Sequence, residues 1–187
     1  MKLGIIGAMD VEVATLKEMM ENKTERTIAG AVYCEGLLEE LPAVVVQCGV
    51  GKVNAAMCTQ ILCSCYGVTY LVNTGIAGSL SAELDIGDLV ISRDAMYHDF
   101  DCTPVGYVPG QIPGMDVLAF PADEKLSALA FEAAEQVNPG HTKTGRVASG
   151  DQFIAGKAIK EKIIAITDAK CTEMEGAAIA HTAYRNG

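Results

Sequence analysis

The chain has 187 residues, half of them hydrophobic, and sets 14 Lys and Arg against 24 Asp and Glu for a net charge of −10. That length suits one globular core and that composition supplies it, whereas a disordered chain would be more polar. A surface this acidic repels phosphate backbones and anionic headgroups, so nucleic acid and membrane are excluded as expected partners.

Lys2 to Gly7 reads as a short buried strand, and Asp10 to Asn22 as a helix with Val11, Ala14, Thr15, Leu16 and Met19 at helical spacing. Ala31–Leu37 and Leu41–Gln47 form two strands around a Leu38-Glu39-Glu40 turn. No charge occurs from Val53 to Ala82, but Asn54, Thr59, Gln60, Ser64, Asn73 and several glycines break the run. It therefore reads as a buried helix (Val53–Tyr66) and a buried strand (Tyr70–Asn73) rather than a membrane span. Leu89–Ile91 is a further strand, and Thr103–Gly114, with three prolines and three glycines, is a loop. Helices follow at Asp123–Val137, Lys157–Ile164 and Glu175–Tyr184, and strands at Thr142–Ser149 and Cys171–Glu173. Buried strands alternating with helices predict a three-layer α/β/α domain with ligands beyond the carboxyl ends of the strands.

Several familiar motifs fail. Gly4-Ile5-Ile6-Gly7 lacks the glycine order of a dinucleotide fingerprint, and Gly49-Val50-Gly51-Lys52 is followed by Val53 where a phosphate loop needs Ser or Thr. Cys63 and Cys65 are one residue apart with no His pair after them, so no zinc site is expected. Seven cysteines without an export segment read as reduced thiols in a cytoplasmic protein. His98, His141 and His181 are scattered and read as surface or satisfied residues. What remains is a set of carboxylates at strand ends: Glu12 after the first strand, and Glu173 and Glu175 around Met174. Helix-dipole preference alone accounts for acids at helix starts; two such sites could equally hold a sugar's hydroxyls and activate a water.

The stretches Met1–Glu12, Gly49–Ala56, Asn73–Gly78, Gly87–Val90, Tyr97–Asp99, Ser149–Ile154 and Glu173–Ala178 closely resemble 5′-methylthioadenosine/S-adenosylhomocysteine nucleosidase, in order and across the whole chain. The resemblance implies the nucleoside phosphorylase and nucleosidase fold, with a mixed central sheet, and hydrolysis of the adenine to ribose bond without metal or organic cofactor. It implies that Glu12 activates the attacking water, that Glu175 binds the ribose hydroxyls, that Met174 packs on the ribose, and that Glu173 is a substrate-binding residue with them. Phe153 is expected to stack on adenine and the Ile154 backbone to read its edge. Met9, Val50, Ile76 and Gly78 are expected to line the water and sugar region. Tyr107 and Pro113 resemble the segment that covers a partner subunit's 5′ pocket, so a homodimer binding a small adenine nucleoside is expected.

Phosphorolysis, the related chemistry, needs cationic donors for phosphate, and an anion at position 12 suits water instead. The alternatives are a phosphorylase or a catalytically impaired nucleoside-binding fragment. The family's pattern runs on into a strand bearing the Asp that protonates adenine at N7. Neither Asp151 nor Asp168 is given that role, and loss of a general acid costs about 10²- to 10⁴-fold. Residues 1–187 are thus expected to be one nucleosidase-like domain, C-terminally incomplete, its fold lacking the last strand and helix.

Overall fold

The structure, a computed structural model, describes residues 1–187. The chain forms two compact units, Met1–Ile76 with His181–Gly187, and Ala77–Ala180. The first holds β1 (Leu3–Gly7), α1 (Asp10–Met19), β2 (Glu21–Ile28), β3 (Ala31–Leu38), β4 (Leu41–Gln47), α2 (Lys52–Tyr66) and β5 (Tyr70–Asn73). Its sheet runs β2-β3-β4-β1-β5. β1 lies parallel to both β4 and β5, while β2, β3 and β4 pair antiparallel. Strands covered on both faces read as unbroken apolar runs. Accordingly Ile5 and Ile6 in β1, and Ala43 to Val46 in β4, are buried. Ile5, Val13, Met20, Cys34, Ala43 and Val45 make one core cluster, with Leu3, Leu16 and Leu38 at its margin.

β2 is the element that the hydrophobic pattern conceals. The helix expected to reach Asn22 stops at Met19, because Met20 turns extended and buries its side chain in that cluster. The following Glu-Asn-Lys-Thr-Glu-Arg-Thr-Ile is exposed almost throughout and forms an edge strand with a register shift between Glu21 and Thr24. Charges and a bulge on an edge discourage pairing with other chains.

The second unit holds β6 (Gly78–Ser79), β7 (Leu89–Tyr97), β8 (Phe120–Pro121), α3 (Glu124–Val137), β9 (Thr142–Ser149), α4 (Lys157–Thr167) and β10 (Cys171–Glu173). α5 (Gly176–Asn186) starts in this unit and ends in the first. The sheet order is β6-β10-β9-β7-β8, with β9 parallel to β7 and β10. Arg146 on β9 grips Asp94, its register partner on β7, through Nε at 2.5 Å and Nη2 at 3.0 Å. The 103–114 segment is a loop, as expected, apart from one 3-10 turn at Thr103–Val105. No helix is long and apolar enough to cross a membrane.

The expected fold class needs correcting in two respects. The strands make two five-stranded mixed sheets rather than one central sheet. Nor is the fold short of its last strand and helix: β10 and α5 are both formed. β10 is interior to its sheet, paired with β9 on one side and β6 on the other. Ala177, Ala178 and Ile179 of α5 are buried. The edge strands of that sheet, β6 and β8, have two residues each, so little unpaired backbone is presented.

His181, half-buried in α5, has its pKa held below the usual 6.5 by burial and, secondarily, by the charge of Arg185. Protonation therefore favours the unfolded chain, so stability is complete above pH 6.5 and falls as pH drops from there through the depressed folded value. Urea unfolding between pH 7.5 and 5.5 should show this loss, and His181→Gln should flatten the slope.

Candidate active site

In the first unit, three loops leave the carboxyl ends of adjacent parallel strands. Hydrogen bonds extend the ladders into these loops: Cys48 N–H donates to Gly7 O (2.9 Å), Gly49 N–H to Ala8 O (3.1 Å) and Thr74 N–H to Ile6 O (3.0 Å). Glu12 sits in the first turn of α1 and folds its side chain back toward them. Its Oε2 accepts from the N–H of Ala8 (2.7 Å) and Met9 (2.9 Å), and its Oε1 accepts from Ile76 N–H (3.1 Å). A carboxylate offers about four lone-pair directions. Three are used, which leaves one on Oε1 for an external donor.

Position 75 must be glycine for this arrangement. A Cβ there would lie 2.7 Å from Glu12 Oε1 and 3.0 Å from its carboxyl carbon. Met9, Val50 and Ile76 are exposed around this end of the sheet, Ile76 at 72%. Val50 is held in its turn by Asn54, whose Nδ2 donates to Val50 O at 2.7 Å. The structure thus joins Glu12, Met9 and Ile76 directly through backbone amides.

In the second unit, the chemistry-bearing residues again follow parallel strands. Ser149 and Glu173 are register partners at the ends of β9 and β10. Ser149 Oγ bonds to Glu173 Oε1 and accepts Ala177 N–H at 2.7 Å. Glu173 Oε2 accepts the N–H groups of Glu175 (2.8 Å) and Gly176 (2.6 Å). Met174 is half-buried, and Glu175 is only 8% exposed. Gly78 pairs with Thr172 across β6 and β10.

The turn after β9 leans on the end of β7. His98 N–H donates to Ser149 O (3.0 Å) and Asp151 N–H to Asp99 Oδ2 (2.9 Å). Gly150 has no room for a side chain, since a Cβ would overlap the His98 ring. From this turn Phe153 projects 89% exposed, while Ile154 packs on the cluster of Leu80, Ala148, Ile163 and Ala169. An exposed phenylalanine anchored by so tight a turn is suited to stacking on a planar ligand. Tyr107, half-buried, and Pro113, exposed, lie on the 103–114 loop.

Two participants were not singled out from sequence. Ser149 stood within a motif without a role, and the signal was its place opposite Glu173 at paired strand ends. The other is Ala8, whose backbone amide carries no side-chain signal at all. Cys171, two residues before Glu173, is buried, and burial first, with the Glu173 charge second, pushes its thiol up to about 12, which disfavours the thiolate.

The comparisons with known proteins point the same way at the level of the superfamily, and the relatives most similar in sequence share one name. The model of the phosphorylase superfamily matches residues 2–187. A 5′-methylthioadenosine/S-adenosylhomocysteine nucleosidase of Halalkalibacterium halodurans is 42% identical over 187 residues, covering 100% of this chain and 80% of that protein. The solved nucleosidase of Colwellia psychrerythraea 34H, in complex with adenine, matches with a TM-score of 0.94 and 41% identity, covering 99% of this chain and 77% of that one. The Streptococcus pneumoniae nucleosidase with the transition-state inhibitor MT-ImmA has a TM-score of 0.93 and 37% identity, covering 99% and 80%. With identity this high across nearly its whole length, the chain belongs to the 5′-methylthioadenosine/S-adenosylhomocysteine nucleosidase family of the phosphorylase superfamily.

Proposed function

We propose that the chain hydrolyses the N-glycosidic bond of 5′-methylthioadenosine and S-adenosylhomocysteine, releasing adenine and the thioribose product. Cleavage of such a bond passes through a cationic, oxocarbenium-like sugar, which nearby anions stabilise and an oriented water captures. Glu12 orients and deprotonates that water. The observation that carries this role is its anchoring by three backbone amides with one Oε1 lone pair left over. A water adding to a cation becomes acidic as its bond forms, so it can pass its proton to a carboxylate held within hydrogen-bond reach.

Glu175 binds the ribose hydroxyls and Met174 packs on the ribose. Phe153 stacks on adenine, the Ile154 backbone reads its edge, and Met9, Val50, Ile76 and Gly78 line the water and sugar region. No residue of 1–187 is assigned to protonating adenine. Water rather than phosphate is the nucleophile in this reading. The anion at position 12 repels phosphate, and Arg146 is committed to Asp94 and to Thr167 O at 2.9 Å.

Tyr107 and Pro113 cover the 5′ pocket of a partner subunit, and the chain acts as a homodimer. Sedimentation at micromolar concentration should give a dimer mass; a monodisperse monomer would remove the partner's loop from the site.

Adenine release from methylthioadenosine should be independent of added phosphate. Glu12→Gln should lower that rate by at least about 10²-fold, the scale of a lost general base, with nucleoside affinity changed only a few-fold. Unchanged turnover would take Glu12 out of the mechanism. Gly75→Ala should also cost about 10²-fold, since displacing a reacting group by an ångström has that effect. Full activity in that variant would show that the Glu12 to Ile76 contact is dispensable.

A further inference from the structure

Glu173 is expected to bind substrate with Glu175, yet its carboxylate is already engaged by protein groups. Both oxygens are used: Oε1 with Ser149 Oγ, and Oε2 with the amides of Glu175 and Gly176. Ser149 is fully buried. A hydroxyl has one proton to give and two lone pairs to receive with, and here the proton goes to Glu173 while one lone pair takes Ala177 N–H. Together the two side chains hold the amides of Glu175, Gly176 and Ala177, three consecutive residues at the start of α5.

These amides are the ones a helix start leaves without partners of its own. The carbonyl of Glu175, just before α5, accepts Ala178 N–H at 2.9 Å and Ile179 N–H at 3.0 Å. Glu175 is therefore the cap residue of the helix, and its backbone is fixed by Glu173 on one side and by the helix on the other. A negative charge at this point also suits the helix dipole.

We propose that Ser149 and Glu173 form a positioning pair that sets the Glu175 carboxylate for the ribose, and that neither touches the substrate. This rests on the assignment of Glu175 to the ribose hydroxyls. Ser149 matters because its hydroxyl bridges Glu173 to Ala177. Without it the first turn of α5 loses a buried acceptor and Glu173 Oε1 loses the Ser149 hydroxyl. Glu175 then shifts relative to a substrate held by its adenine.

The test is a double-mutant cycle on the full chain, read as kcat/KM for methylthioadenosine, with adenine affinity and thermal unfolding measured alongside. Ser149→Ala should lower kcat/KM by about 10- to 100-fold, consistent with a misplaced group, while adenine affinity, which needs no ribose contact, stays within about threefold. Glu175→Gln should lower kcat/KM at least as much. In the double variant the losses should not multiply, because a residue that acts through Glu175 has nothing left to act on. Ser149→Thr, which keeps the hydroxyl, should recover most of the loss.

Losses that multiply while Glu175→Gln is itself impaired would overturn the positioning pair and leave the role of Glu175 intact. Wild-type kcat/KM in Glu175→Gln would overturn both. Should Ser149→Ala fail to fold, the same cycle with Glu173→Gln, which keeps the side chain's size and shape, gives the same decision.

Discussion

The candidate chemistry depends on one constraint: the Glu12 carboxylate is held by the N–H groups of Ala8, Met9 and Ile76. Two of these belong to the turn after β1, and the third lies 64 positions along the chain from Glu12, after β5. β1 and β5 are neighbouring parallel strands, so their carboxyl ends stand side by side. The carboxylate ties those ends together and is itself tied. A base that must meet a short-lived cation gains from this, since it spends nothing on reorganisation when the reaction occurs.

The same principle recurs at the end of β9 and β10. There too a carboxylate next to a helix start is engaged by backbone amides, and parallel pairing brings the partners together. The two arrangements differ in what they leave over. Glu12 retains an acceptor position, whereas Glu173 is committed to Ser149 and α5. Acids that sequence treats alike thus divide into one suited to chemistry and one suited to holding its neighbour in place.

Much of this was legible beforehand, and the exceptions have physical causes. β4, with Val44-Val45-Val46, and β10, whose bounds were read at Cys171–Glu173, announce themselves because buried strands leave unbroken or sharply bounded patterns. β2 left none, since an exposed edge strand of Glu, Asn, Lys, Thr and Arg has no alternation to read. β6 and β8 are too short for any periodicity. The expectation of a missing last strand and helix came from matching motifs to a family pattern; the backbone shows a strand at Cys171–Glu173 and a helix at Gly176–Asn186, both formed. Glu12 was findable as an acid at a helix start, but its contact with Ile76 depends on strand order. The role of Ser149 was hidden for the same reason: it is set by the register that places it opposite Glu173.

If fixed negative charge is what this protein contributes to catalysis, affinity should report it directly. The decisive comparison is between a methylthioadenosine analogue with a positively charged ring in place of the ribose and an uncharged analogue of the same shape. The cationic ring should bind at least about 100-fold more tightly, the lower end of transition-state mimicry. Equal affinity for the two would contradict it.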